Sequence, residues 1–347
     1  MRAPTMNAAM EGLPGKWKRL CASSWLLRFT DMNLRGIAQV MLQDNPLTGA
    51  FFLAAIAWGS YTAGALQVAI AGVVGVIAAT LAALWLCADD DSLSAGLYGF
   101  NGTLVGLALA TFLAPGPLLW IYVILGAAVS VVITLGITNV VKPWGGALTF
   151  PFVLTTWLLL LATYGFSGLT GTALPSGNVV AAFQPFEGSP FHLIDLTQGV
   201  LQSISQVFLK SSGPAALLLL AGLAVNSPAA AIFALAGALL AVLTAHLFGA
   251  ESDLITGGLL GFSPVLTAIA LGTVFYRPSW RVAVYTAFAT VFTVIAQSAL
   301  NVALTPFAIP ALTAPFVLVT WLFLLPRQCL KEVPAAVRGS DEPASSA

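Results

Sequence analysis

The sequence predicts an all-α protein that crosses a membrane many times and is built from two repeats of five spans. Hydrophobic residues make up 59% of the 347 residues and charged residues only 7%. A soluble domain needs more charge than this on its surface, so the composition suits a lipid environment. Long charge-free stretches, such as 92–141 and 282–326, leave room for spans of about 20 apolar residues.

The distribution of charge orders these spans across the membrane. If the chain starts inside and two apolar segments, 93–113 and 255–275, are re-entrant, the basic residues between spans fall on the inner side. The expected spans lie near 29–43, 47–64, 66–86, 117–140 and 147–165, and near 196–210, 214–226, 229–249, 280–302 and 311–326. Because each repeat has an odd number of spans, the second repeat is inverted, and a substrate path is expected between the repeats.

The same topology divides the chain into five parts. They are a cytoplasmic N-terminal segment 1–28, a first repeat 29–165, an outer loop 166–195, a second repeat 196–326 and a cytoplasmic tail 327–347. The N-terminal segment is basic and has no uninterrupted apolar core, so we do not interpret it as a cleavable signal. We therefore expect a multi-pass protein of the plasma (inner) membrane with both termini in the cytoplasm.

The first span of each repeat carries a glutamine at the same place. Residues 37–42 align with 204–209, which places Gln39 opposite Gln206. An amide in lipid is costly, so both side chains are expected to face protein or a solute path. Hydrogen bonding between helices, with no contact to a solute, remains the alternative for both.

The re-entrant segments are duplicated as well. Residues 96–104 and 258–266 both contain glycine clusters, with Asn-Gly in one and Ser263-Pro264 in the other. Such residues suit a broken helix that lines a cavity. In each segment a phenylalanine and a leucine stand four residues apart on one helix face, namely Phe100 with Leu104 and Phe262 with Leu266. An ordinary core position is the alternative for the two phenylalanines.

The last span of each repeat gives the clearest duplication. Residues 147–161 and 311–325 share Thr-x-Pro-Phe-Val-Leu-x-Thr-Trp, an order of residues that composition alone does not explain. Thr149 and Thr313 can cap the helix start, and the following proline needs no N–H there. These caps are expected either at the bilayer surface or deep inside, beside protein or a watery path. Capping alone, without contact to a solute, remains open.

Together these motifs resemble the urea transporter family, and its bacterial members most closely. The resemblance covers residues 30 to 326 and depends on Gly-Phe-Asn-Gly-Thr-Leu-Val-Gly-Leu-Ala at 99–108 and on the two threonine–proline stretches. It implies a homotrimer with one pore in each protomer, through which urea passes by facilitated diffusion. In such a pore, flat phenylalanine and leucine slots flank a tighter middle that has oxygen atoms along one wall.

Carried over position by position, the resemblance implies a role for eight residues. The slots would be Phe100 with Leu104 and Phe262 with Leu266, Gln39 and Gln206 would meet urea at the two ends, and Thr149 and Thr313 would face the middle. A planar neutral solute can exchange its hydration for protein oxygens, each bond contributing about 0.5–1.5 kcal/mol net. An ion gains too little from that exchange to leave water.

Other functions remain open at this point. An ion-coupled secondary transporter of a small neutral amide would need charges within its spans, where the sequence has few. An intramembrane enzyme would need a catalytic constellation that two isolated histidines do not supply, so no enzyme activity is expected. A channel for ammonia or glycerol is physically possible. The net charge of zero gives no reason to expect nucleic acid, and the scattered cysteines and histidines predict no metal and no cofactor.

Overall fold

The computed structural model describes residues 13–142, 145–175, 177 and 193–326. Within these ranges the chain is α-helical, and its β-structure is limited to an isolated bridge between Leu113 and Gly171. The predicted all-α fold is therefore confirmed. The segment before residue 13, most of the expected outer loop and the expected tail lie outside the described residues.

The helices of the two halves follow one another in the same order. The first half contains α1 (Leu13–Ser23), α2 (Trp25–Gln39), α3 (Pro46–Thr62), α4 (Leu66–Trp85), α5 (Asp90–Ser94), α6 (Gly99–Phe112), α7 (Pro117–Val141) and α8 (Phe150–Ala162). The second contains α9 (Leu193–Ser205), α10 (Gly213–Asn226), α11 (Pro228–Leu247), α12 (Ser252–Thr256), α13 (Phe262–Ile269), α14 (Trp280–Leu304) and α15 (Ala314–Leu324). Each of α2 to α8 thus has a counterpart in α9 to α15.

The backbone conformation repeats along with the helix order. α4 and α11 both have 20 residues, and α7 and α14 both have 25. Left-handed backbone angles recur at matching positions, at Leu42 and Leu209 and again at Leu148 and Leu312. Leucine seldom adopts a positive φ. Its recurrence at these turns therefore shows that both halves follow the same chain path.

Helix length separates full spans from partial ones. Four described helices are long and apolar enough to cross a bilayer, namely α4, α7, α11 and α14, and α9 with α10 would add a fifth as one span bent by 71°. The expectation of ten spans stays a prediction beyond these. α6 has 14 residues and rises about 21 Å at 1.5 Å per residue, less than the hydrocarbon core of about 30 Å. This length suits a re-entrant segment.

The halves contact each other reciprocally. The Trp157 indole N–H donates to the Pro310 carbonyl at 2.9 Å, and its counterpart Trp321 donates to the Gly146 carbonyl at 2.9 Å. α3 packs against α10, which is the helix of the second half that corresponds to α3. When two units are related by a two-fold axis, each contact from the first unit to the second is repeated from the second to the first. The halves therefore pack as the subunits of a two-fold dimer do, within one chain.

Two matching contacts at the ends of α3 and α10 use different residue types in the two halves. The Asn226 amide donates to Gln43 Oε1 at 2.8 Å. At the matching positions of the other half, the aliphatic part of buried Lys210 packs on Gly59, where an added Cβ would lie 3.1 Å from the lysine carbons. A long side chain and a glycine thus replace two amides of middle size, and the space is filled in both cases.

Small residues let α6 pack closely against α4. α6 is buried along most of its length, between α4 and α7. An added Cβ at Gly106 would overlap the Ala71 carbonyl oxygen, and one at Gly75 would overlap the Gly102 carbonyl oxygen. Close backbone approach at glycine is a common way for helices to associate in lipid. The position of α6 therefore depends on these glycines.

We expect Gly106→Ala to destabilise the protein by about 1–3 kcal/mol, because the Ala71 carbonyl has to move away from the new methyl group. Gly136 on the exposed face of α7 is the matched control, since its Cβ would meet open space. Gly136→Ala should be neutral, or stabilising by up to about 1 kcal/mol. Melting curves of the purified variants in detergent measure both effects. Equal stability of the two variants would contradict the packing argument.

Candidate functional site

Two cavities of similar size lie where the halves meet. One, the Gln206 cavity, has a volume of about 540 Å³, and the other, the Gln39 cavity, about 560 Å³. Both are lined by residues of both halves. Matching lining residues are Gln39 and Gln206, Leu42 and Leu209, Phe100 and Phe262, and Leu148 and Leu312. Equivalent surfaces of the two halves therefore form the two cavities.

The walls of the two cavities are joined by a pair of threonines. The hydroxyl oxygens of Thr149 and Thr313 lie 2.6 Å apart and share a hydrogen bond, and both side chains are buried. Thr149 follows Leu148 of the Gln39 cavity, and Thr313 lines the Gln206 cavity. Since α8 and α15 begin directly after these threonines, both helices start inside the protein.

The expected capping role of these threonines is wrong. Neither side chain accepts a hydrogen bond from the backbone of its own helix. The backbone of Thr149 has φ −91° and ψ 14°, and that of Thr313 has nearly the same angles, whereas a capping residue is usually extended. The hydroxyls bond across the two halves instead, and both are buried inside the protein.

The two glutamines use their amide groups in the same way. Gln39 Nε2 donates to the Ala95 carbonyl at 3.0 Å, and Gln206 Nε2 donates to the Ser211 hydroxyl at 2.9 Å. Neither Oε1 accepts a hydrogen bond from a residue that the structure describes. Each glutamine is therefore oriented by its N–H side and leaves a carbonyl oxygen available at its cavity.

The phenylalanines and leucines do not form the expected pairs on a common wall. Phe100 lines the Gln39 cavity and Leu104 the Gln206 cavity, so one turn of α6 leads from one cavity to the other. Four residues of helix rise about 6 Å, so α6 contributes to the walls of both cavities within about one turn. Phe262 lines the Gln206 cavity, whereas Leu266 is fully buried in the core and lines neither cavity.

The cavity walls carry little charge. Among the lining residues that the structure describes, Asp44 is the one charged side chain, and it is ion-paired with Arg35. Arg35 also pairs with Asp31 at 2.7 Å. No three His, Cys, Asp or Glu side chains lie together as metal ligands would, within the described part of the chain. The arrangement suits a neutral solute that hydrogen-bonds to protein oxygens.

Comparison with known proteins identifies the family. A sequence model of the family described as urea transporter matches residues 30–328. The chain belongs to the urea transporter family. It is similar to Urea transporter 1 of Rattus norvegicus, with 29% identity over 314 residues, of Mus musculus, with 28% over 310, and of Ovis aries, with 27% over 303. Each match covers 86% of this chain and 77% of the relative.

Membership of the urea transporter family confirms the resemblance that the motifs indicated. The matched region contains all eight residues expected along a path, since they lie between Gln39 and Thr313. The urea transporter family is one of transporters and not of enzymes. This chain is therefore a membrane protein of the urea transporter family, built around two cavities and a buried hydroxyl pair.

Sequence reasoning missed the residue that holds the start of α8. Asn101 of α6 is fully buried, and its Nδ2 donates to the Leu148 carbonyl at 3.4 Å. Its Oδ1 accepts from the Phe152 backbone N–H at 3.2 Å, and Thr134 of α7 lies at 3.5 Å from Nδ2. One amide thus satisfies a cavity-lining carbonyl and a free N–H of the helix start.

The second half of this urea transporter family member exchanges amide and hydroxyl. Ser263 of α13 stands where Asn101 stands, and Gln297 of α14 stands where Thr134 stands. The Ser263 hydroxyl donates to Gln297 Oε1 at 2.7 Å. The departure from Asn-Gly to Ser-Pro was visible in the sequence, but its partner was not. A glutamine in the middle of a charge-free span was the available signal, since a buried amide needs partners.

A double-mutant cycle tests this exchange. Asn101→Ser should destabilise the protein by about 1–3 kcal/mol, because it orphans the buried Leu148 carbonyl and Phe152 N–H. Thr134→Gln alone should also destabilise the protein, because the larger glutamine side chain has to fit beside the buried Asn101 amide. The double variant copies the second half, and we expect its free energy of unfolding to exceed the value predicted from the sum of the two single effects by about 0.5–3 kcal/mol. Simple additivity would show that the two positions do not compensate each other.

Proposed function

We propose that the chain conducts urea passively, as a channel between its two halves. The observation that supports this best is the pair of equivalent cavities whose walls meet at the Thr149–Thr313 hydroxyl pair. α6 supports this proposal too, since Phe100 and Leu104, which stand one helical turn apart, line different cavities.

The lining residues suit urea, which is planar, neutral and rich in N–H donors. The free carbonyl oxygens of Gln39 and Gln206 accept N–H groups as urea leaves water at either end. Phe100 and Phe262 then offer apolar rings that admit a flat molecule edge-on, and Leu104 adds an apolar side chain to the wall of the Gln206 cavity. Each replaced hydrogen bond contributes about 0.5–1.5 kcal/mol net, which suffices for passage without tight binding.

The threonine pair is the proposed constriction of this selectivity filter. A hydroxyl has one donor and two acceptor lone pairs, so the pair keeps spare acceptors while bonded to each other. A urea N–H group can use these acceptors and replace the contact between the two hydroxyls. An ion finds no comparable compensation for its lost hydration among two hydroxyls and apolar rings.

We also propose that the halves are inverted repeats in the membrane, spanning 29–165 and 196–326, with the re-entrant segments 93–113 and 255–275. The reciprocal tryptophan contacts support a two-fold relation between the halves. An odd number of spans per repeat turns this relation into opposite membrane orientations. The basic residues then lie on the inner side, which supports cytoplasmic termini in the plasma (inner) membrane.

A homotrimer is the assembly that we propose from the resemblance to the family. Both cavities are lined by the two halves of a single chain. Each protomer therefore has its own path, and assembly adds no residue to it. The surrounding lipid and neighbouring protomers cover the apolar outer faces, on which Ile121 of α7 and Phe288 of α14 are exposed.

Purified protein in liposomes should accelerate urea flux in a stopped-flow light-scattering assay without any ion gradient. Passive conduction requires no energy source, so flux should not change when sodium, a proton gradient or ATP is added. Thiourea should compete, because it has the same shape and the same N–H groups. Flux that depends on sodium or protons would support an ion-coupled transporter instead, and flux equal to that of empty liposomes would refute urea conduction.

The double variant Thr149→Val, Thr313→Val should lower urea flux by about tenfold, since a loss of about 1.4 kcal/mol in the filter corresponds to that factor. Thr62→Val is the matched control, because Thr62 is exposed and bonds within its own helix. Gel filtration should show normal assembly of both variants. Undiminished flux in the assembled double variant would reduce the two hydroxyls to a structural contact.

A further inference from the structure

The two cavities differ at one wall. In the Gln39 cavity this wall carries Thr134 and Thr138 of α7, and in the Gln206 cavity the matching positions of α14 carry Gln297 and Asn301. Two side-chain amides therefore stand in one cavity where two hydroxyls stand in the other. None of the sequence motifs includes these positions. The two helices have the same length and the same place in each half, so the difference is confined to their side chains.

The two amides of α14 are held in a fixed direction. Ser263 donates its hydroxyl to Gln297 Oε1 at 2.7 Å, and Gln297 Nε2 donates to Asn301 Oδ1 at 3.1 Å. Ser263 and Gln297 are buried, whereas Asn301 is half-buried at the cavity. Asn301 accepts from Gln297 through its side-chain oxygen, so its Nδ2 amino group is available to donate. This amino group has no partner among the described residues. An amide nitrogen supplies two donors.

The same cavity also presents an acceptor. Gln206 lines it and spends its amide N–H on the Ser211 hydroxyl at 2.9 Å, which leaves Gln206 Oε1 without a donor among the described residues. The Gln206 cavity thus holds a free carbonyl oxygen and a free amino group. A planar amide solute carries the complementary set, since its N–H groups donate and its carbonyl oxygen accepts.

The matching wall of the Gln39 cavity presents no oriented amide donor, because its two positions are threonines. Thr134 donates its hydroxyl hydrogen to the Ser130 carbonyl at 2.7 Å, so it offers acceptor capacity. Thr138 offers one hydroxyl that no described residue orients. The acceptor Gln39 Oε1 is present as in the other cavity, and the α7 and α14 walls therefore differ in the oriented amide donor.

We propose that Asn301 binds the carbonyl oxygen of the permeating solute in the Gln206 cavity, while Gln206 Oε1 accepts one of its N–H groups. Gln297 and Ser263 are positioning residues, which hold Asn301 with its amino group toward the solute. This subsite selects planar carbonyl amides over analogues with a poorer acceptor, such as thiourea. The inference rests on the proposed function, because it assigns a second contact to the same solute.

Asn301→Asp is the sharpest test, since the aspartate keeps the size of the side chain and can accept from Gln297 but presents no amino group. We expect the half-saturating urea concentration in proteoliposomes to rise by about tenfold, with a much smaller change for thiourea. The preference for urea over thiourea should therefore fall by about threefold or more. A merely structural defect would lower both fluxes together and leave that preference unchanged.

Two further variants complete the experiment. Asn301→Leu removes the donor without adding charge and should lose the same preference, so the result does not depend on how the aspartate variant folds. Thr138→Val is the control at the matching position of the Gln39 cavity and should leave the preference unchanged. Wild-type protein without urea flux would refute the proposed function, whereas normal wild-type flux with an unchanged preference in both Asn301 variants would refute this inference alone.

Discussion

Two helices that begin inside an apolar protein impose the central constraint on this molecule. The first N–H groups of α8 and α15 have no partner within their helices, and an unsatisfied N–H in lipid costs several kcal/mol. The chain meets this constraint with a proline in each first turn and with Asn101, which accepts from the start of α8. The hydroxyls of Thr149 and Thr313 bond to each other at the point where the helices meet. Polar groups are thereby placed in a mainly apolar interior, between the two cavities.

Local sequence patterns predicted much of the fold but could not predict how its parts meet. The threonine–proline stretches located α8 and α15, yet the same pattern starts a helix at a bilayer surface or in the interior. Only a contact between positions far apart in the chain shows that the hydroxyls bond across the halves instead of capping. Likewise, helical periodicity places Phe100 and Leu104 on one face, but it does not show that one cavity ends and the other begins within that turn.

Divergence between the two halves has occurred in compensating pairs. An asparagine on α6 with a threonine on α7 corresponds to Ser263 with Gln297, and Gln43 with Asn226 corresponds to Lys210 with Gly59. Both exchanges keep the interior filled, and the first also keeps its buried amide hydrogen-bonded, which close packing and a low dielectric demand. Aligning the repeats position by position detects one member of such a pair as a departure and overlooks the other. The residues that make the two cavities different were therefore the hardest to recognise from the sequence.

Two cavities with different polar side chains are compatible with the passive conduction that we propose. A binding site without an energy source changes how long a solute stays, but it cannot change the concentrations at which net flux stops, because a ligand shifts an equilibrium only through differential affinity. Conduction also requires that binding remain weak enough for release. An oriented donor and an acceptor at about 0.5–1.5 kcal/mol each meet that requirement, since they align a planar solute without retaining it. On the proposed path, a solute aligned at the Gln206 cavity would then reach the Thr149–Thr313 hydroxyl pair already edge-on. A single cavity that orients the solute is then sufficient for the proposed path, which solute crosses in both directions.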